Sequence, residues 1–205
     1  MKTIFFILVL TTNILSAQTM IFLQGGLNTR TGIFSLEEHS SLVESWKSAT
    51  SASMGVDVFL TKSVAISSSI EYDSYPFDTY RYYGVSVPEV WVKASSGDAS
   101  EMFRISFEGR LVFPSHTKLF AYVVTGVSYT TERVGQIRLT FANLNGPDFE
   151  DVIPSHSKNY WTHTFGLGFR YFLLDGFGVD LTGKWYSDYS TRFHRSINFG
   201  FVYVL

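Results

Sequence analysis

The chain has 205 residues, a formal charge of −2, 17% charged and 17% aromatic residues, and no cysteine. That balance gives no basic surplus for holding nucleic acid, and the missing cysteines exclude disulfides, thiolate metal sites, a cysteine nucleophile and a lipidated-cysteine anchor. Few charges beside many aromatic rings suit a single domain with a lipid-facing surface.

The first predicted element is a leader. Lys2 supplies a short positive region, Ile4 to Leu10 is unbroken apolar, and Ser16-Ala17-Gln18 offers small residues for cleavage, expected after Ala17. The apolar run falls well short of the roughly 20 residues a membrane-spanning helix needs. Residues 1–17 therefore read as a cleaved signal peptide and 18–205 as the exported domain.

Eight period-two segments follow, at about residues 19 to 28, 51 to 61, 64 to 73, 101 to 113, 118 to 130, 160 to 173, 178 to 188 and 195 to 205. Each has about the ten residues that a tilted transmembrane strand requires. In the fourth, Phe103, Ile105, Phe107, Gly109, Leu111 and Phe113 share one face while Arg104, Ser106, Glu108 and Arg110 share the other. The sixth sets Trp161, Phe165, Leu167, Phe169 and Tyr171 against Thr162, Thr164, Gly166, Gly168 and Arg170, with His163 the one polar member of the apolar row. In the eighth, Ile197, Phe199, Phe201, Tyr203 and Leu205 line one side; the other starts polar and turns apolar at Val202 and Val204.

The connections alternate in length. Lys62-Ser63, Pro114 to Thr117 and Leu174 to Phe177 are tight turns, Asp175-Gly176 being a hairpin signal. Long polar links run over about 29 to 50, 74 to 100 and 131 to 159, with a short one near 189 to 194. Short turns on one rim and long loops on the other are the asymmetry of outer-membrane barrels, so the expected fold is all-β: an eight-stranded antiparallel up-and-down transmembrane β-barrel.

Alternation alone leaves open whether the apolar face meets lipid or a soluble core, as in a lipocalin-like barrel. The polar face favours lipid outside. It carries Gly26, Gly55, Gly126, Gly166, Gly168 and Gly200 with Ser67, Ser69, Ser106 and Ser128, small residues that suit a narrow lumen. It also carries Asp57, Glu71, Glu108 and Asp180 against Arg104, Arg110, Arg170 and Lys184. Turned to lipid near the midplane, the four cations would cost on the order of 8 to 16 kcal/mol, at about 2 to 4 each. The eight charges are expected to form a luminal ion-pair network that is structural rather than catalytic.

The chain resembles the small outer-membrane barrels of the OmpA/OmpX type. The resemblance rests on the leader, the eight alternating strands, the segment Phe165-Gly166-Leu167-Gly168-Phe169-Arg170-Tyr171 and the terminal Asn198-Phe199-Gly200-Phe201-Val202-Tyr203-Val204-Leu205. It implies a bacterial, Gram-negative outer-membrane location, contact with membrane lipid and lipopolysaccharide, and recognition of the last strand by the barrel-assembly machinery. That signal would fall on Phe199, Phe201, Tyr203 and Leu205, where the usual terminal aromatic is replaced by leucine.

Some barrels of this kind are lipid A enzymes. His194-Arg195-Ser196 is similar to the His-x-Ser pair of the deacylase barrels, whose acyl transfer needs a nucleophile, a base and an orienting carboxylate. No acidic residue follows Ser196, and the pair shares parity with Asn198 on the luminal face. Palmitoyl-transferring barrels fit worse, since no room remains for an amphipathic N-terminal helix. His39, His116, His156, His163 and His194 are dispersed without ligand spacing, so no metal or other cofactor is expected.

The link after strand three gathers Tyr75, Phe77, Tyr80, Tyr82 and Tyr83 with Asp73, Asp78 and Arg81, a mix that can recognise an extracellular protein or glycan. The plainer reading is a hairpin whose aromatics pack on each other. The functional expectation is a non-enzymatic envelope barrel with contact loops; a small-solute pore and a lipid A acyl hydrolase using His194 and Ser196 stand as alternatives.

Overall fold

The computed structural model describes residues 18–32, 48–79, 86–87, 90–113, 118–143, 145–187 and 192–205. The expected leader, Tyr80, Tyr82, Tyr83 and the turn over 114–117 lie outside the described residues. Twelve strands are described, β1 (Thr19–Gly32), β2 (Ala49–Phe59), β3 (Val64–Tyr75), β4 (Ser86–Val87), β5 (Val90–Gly97), β6 (Ser100–Phe113), β7 (Leu119–Val134), β8 (Ile137–Asn143), β9 (Phe149–Ile153), β10 (His156–Leu174), β11 (Phe177–Ser187) and β12 (Arg192–Val204).

Eight of them close a barrel in the order β1-β12-β11-β10-β7-β6-β3-β2, every pair antiparallel. These are the eight segments the alternation marks, with ends shifted by four residues at most. Register partners followed once around, Met20 to Asp57, Ser67, Glu108, Gly126, Thr164, Tyr186 and His194, return to β1 at Arg30, ten residues beyond the start. A shear of ten on eight strands tilts them by about 40° and sets a backbone radius of roughly 8 Å. Each residue then climbs about 2.5 Å, so about ten residues cross the roughly 25 Å apolar band of such barrels.

Inside and outside follow the pleat. Outward rows hold Leu23, Ile66, Phe107, Phe165, Leu181 and Ile197, with Phe165 52% and Ile197 66% exposed. The inward positions are buried and mostly polar, which inverts the distribution of a water-soluble domain. The turns at one end are built as the sequence suggests. Thr61 Oγ1 accepts from the amides of Ser63 and Val64 at 3.2 and 3.0 Å, and Gly176 takes the left-handed φ of 82° that the β10–β11 hairpin requires.

The opposite end departs from the expectation of polar links. Residues 74–100 and 131–159 carry a second, four-stranded sheet in the order β4-β5-β8-β9. Its β5, β8 and β9 continue the wall formed by β6, β7 and β10, with breaks at Asp98-Ala99, Gly135-Gln136 and Pro154-Ser155. Gly135 lies so near the neighbouring chain that an added Cβ would stand 2.4 Å from the Asp98 carbonyl oxygen. Val92, Ile137 and Leu139 form a small core for this sheet, flanked by Phe77, Phe141 and Ile153. The missed signals were the alternating Ile137-Arg138-Leu139-Thr140-Phe141 and the turn pair Asn145-Gly146, obscured by the polar composition around them.

Candidate functional site

The inward side chains of the barrel are layered. Nearest the turn end, Arg170 Nη2 reaches Asp57 at 2.9 Å and Asp180 at 2.7 Å, and Arg170 Nε donates to Asp180 at 2.7 Å. Arg110 joins the same layer through Asp57 at 3.0 Å. Gln24 and Tyr122 donate to Asp180 at 2.9 and 2.6 Å, and Tyr122 also meets the Thr182 hydroxyl. In the middle layer Lys184 donates to both oxygens of Glu108, at 2.7 and 3.0 Å, beside a hydroxyl chain in which Ser128 bonds Ser106 and Thr164, each at 2.8 Å.

In the third layer Arg104 pairs with Glu71, lies 3.3 Å from Asp73 and stacks its guanidinium 3.9 Å from the Tyr186 ring centre. Tyr186 donates to Glu71 and Asn28 donates to Asp73, both at 2.9 Å. Alternate parity on facing strands brings together all eight charges that the sequence singles out, Asp57, Glu71, Arg104, Glu108, Arg110, Arg170, Asp180 and Lys184, each with an oppositely charged neighbour. Asp73 ends the third predicted segment and is grouped above with the aromatic link, not with the luminal charges. It is fully buried in the lumen and shares parity with Ser67, Ser69 and Glu71, the signal that would have found it. The three layers thus hold five acids and four cations, with Gln24, Asn28, Tyr122 and Tyr186 supplying neutral donors.

Such an interior is lined by buried, paired charges. Desolvated charges are tolerable only when paired and hydrogen-bonded; here Arg170 with Asp180 and Arg104 with Glu71 pair between adjacent strands, while Arg170 on β10 also meets Asp57 on β2 and Lys184 on β11 meets Glu108 on β6 across the lumen. His194 and Ser196 face this lumen, 4% and 1% exposed, and Ser196 accepts from Asn198 at 3.4 Å. They point away from the surface on which a lipid substrate would lie. Among the described residues no three His, Asp or Glu side chains gather as a metal site.

Two of the candidate contact residues fall on described positions. Tyr75, 1% exposed, packs inward with Ala49 and Met102, which removes it from any contact surface because its position continues the buried parity of β3. Phe77 leans on the core of the loop-end sheet. In the last strand Phe199, Phe201, Tyr203 and Leu205 all face outward, with Phe201 stacked on Phe177 at 5.7 Å between ring centres.

A closed eight-stranded antiparallel barrel, apolar outside and ion-paired within, is the fold of the small outer-membrane β-barrels. No protein-family model matches the sequence, and no curated protein matches it. Solved structures do. The outer membrane protein OprG of Pseudomonas aeruginosa is similar at a TM-score of 0.57 and 12% identity, over 92% of this chain and 96% of that one. Neisserial surface protein A gives 0.53 and 9% over 90% and 96%, and Ail, the attachment invasion locus protein of Yersinia pestis, gives 0.50 and 10% over 92% and 97%.

Proposed function

We propose that the chain is exported, loses residues 1–17, and is assembled into a Gram-negative outer membrane as a non-enzymatic barrel that supports the envelope and contacts molecules outside the cell through its loop-end sheet. The observation that supports this reading is the lumen, where buried charges among the described residues pair with one another, as a side-chain-filled interior would require. The outward rows would contact lipid and lipopolysaccharide. Phe199, Phe201, Tyr203 and Leu205, on an outward-facing terminal strand, would carry the signal for the barrel-assembly machinery. The contact surface would be the loop-end sheet around Phe77 with Tyr80, Tyr82 and Tyr83. Ail has been solved with the heparin analogue sucrose octasulfate, and a glycan or an extracellular protein is the class of partner we assign to this end.

The decisive experiment inserts the purified protein into planar bilayers and compares lipid A from cells with and without it by mass spectrometry. Baseline conductance and unchanged acylation are expected. A large steady current would overturn the filled lumen, and altered acylation would overturn the non-enzymatic reading and return attention to His194 and Ser196.

A further inference from the structure

The lumen changes character at the turn end. Inward positions that are polar higher up become Met20, Phe59, Val112, Phe120, Phe172 and Val204, while their outward neighbours stay apolar, so the last turn of the wall is hydrophobic on both faces. Met20, Phe59, Phe172 and Val204 pack in one cluster and Phe120 meets Phe172 edge-on at 5.6 Å between ring centres, yet together they leave the turn end open. They line an open-mouthed cavity of about 770 Å³, within the roughly 300–1,000 Å³ of pockets that bury a small-molecule ligand. Its far wall is the layer of Arg110, Arg170 and Tyr122, whose cations are already neutralised by Asp57 and Asp180. At the mouth stand Lys62 and Lys118, both exposed and without an ion pair among the described residues, Lys118 Nζ lying 3.5 Å from the Leu173 carbonyl oxygen, with Asp175 the one acid among the described lining residues there.

An apolar chamber open to water is unfavourable in proportion to the surface it leaves wet, and an unpaired cationic rim adds a preference for negative charge. A tail-first amphiphile answers both features, with its chain on the aromatic and aliphatic walls and its head in water between the two lysines. We propose that this chamber binds the acyl chain of an anionic single-chain amphiphile of the fatty-acid class, its carboxylate held by Lys62 and Lys118. The inference rests on the membrane-embedded reading above, which places this mouth on the periplasmic side.

The test uses the full-length protein expressed in a Gram-negative host, purified and placed in zwitterionic phosphatidylcholine nanodiscs. It is photolabelled with dodecanoic acid carrying a diazirine at its methyl end, and labelled residues are mapped by peptide mass spectrometry. Labelling of the inward Phe59, Phe120 and Phe172 is expected. It should fall about fivefold or more in Lys62→Glu/Lys118→Glu, where two exposed attractions become repulsions. Val112→Trp, which fills the chamber, should abolish it, and the uncharged dodecanol analogue should label these sites less. Heat-modifiable gel migration verifies that each variant is folded. Labels confined to outward residues such as Phe165 and Leu181 would leave the barrel in the membrane and sink the binding site. Equal labelling by acid and alcohol would sink the role of the lysines. No labelling at any inward residue would overturn the proposal.

Discussion

Replacing Arg170 by methionine measures how dry the lumen is. Arg170, 4% exposed, makes contacts of 2.7 to 2.9 Å with Asp57 and Asp180, while a methionine of similar length keeps most of the packing and removes only the charge. In the variant Asp57 retains Arg110 at 3.0 Å. Asp180 retains the neutral donors Gln24 and Tyr122 but has no other ion pair within 4.0 Å among the described residues. One carboxylate is thereby stranded in a low-dielectric interior, a change that costs about 3 to 5 kcal/mol. Converting the stranded group as well, in Arg170→Met/Asp180→Asn, removes the uncompensated charge and should recover about 2 kcal/mol of that loss. Urea unfolding in lipid vesicles, followed by the fluorescence of the outward Trp161 and Trp185, reads both values. A loss below about 1 kcal/mol for Arg170→Met, the scale of an exposed pair, would mean that water reaches this layer and that the lumen is not a plug.

Gly168→Ala should destabilise by about 2 to 5 kcal/mol, because the new methyl would stand 2.2 Å from the Tyr122 ring and displace a hydroxyl that donates to Asp180 at 2.6 Å. Tyr122→Phe alone should cost about 1.5 to 3 kcal/mol, and the double variant Gly168→Ala/Tyr122→Ala, compared with Gly168→Ala and Tyr122→Ala singly, should show strong non-additivity in the same unfolding assay; simple addition would refute the contact. Removing the outward ring in Phe165→Ser should leave the luminal pairs intact yet slow insertion into vesicles, and unchanged folding kinetics would count against a lipid-facing row. On the loop-end sheet, Lys93 Nζ lies 2.8 Å from Asp148, a bond that raises Lys93 above the ordinary lysine value and holds Asp148 below the usual carboxylate range. The stability from Asp148 is present above its ordinary pKa and fades as pH falls through the lowered value; that from Lys93 fades as pH rises through its raised one. Side-chain NMR should find Lys93 returned toward its ordinary value in Asp148→Asn, and no change would refute the pairing.

Where period two ran for ten residues, the strands were legible, because one slip of register would exchange every charge with every ring. Arg104, Glu108 and Arg110 could therefore be assigned inward from parity alone, and the structure puts all three there. Their pairing was not legible, since Lys184 finds Glu108 across the lumen, a relation set by shear and not by spacing in the chain. Tyr75 was not legible for a different reason: β3 keeps its alternation past the length a membrane needs, and turn-forming neighbours such as Pro76 make the continuation look like loop. The loop-end sheet was hidden in the same way. The doubly apolar wall at the turn end shows in the sequence as unbroken apolar runs, at Leu111-Val112-Phe113 and Tyr171-Phe172-Leu173-Leu174 as well as at Val202 and Val204, but their meaning depends on eight strands converging there.

Because β5, β8 and β9 prolong three staves of the barrel, the tip at Asn145-Gly146 stands on hydrogen-bonded ladders that lead back toward the barrel wall. A partner that docks there meets a mast already raised and need not freeze a tether, so little ordering entropy opposes the encounter. If the barrel sits in the outer membrane as proposed above, a peptide epitope spliced into that tip would be displayed at a fixed height over the cell surface.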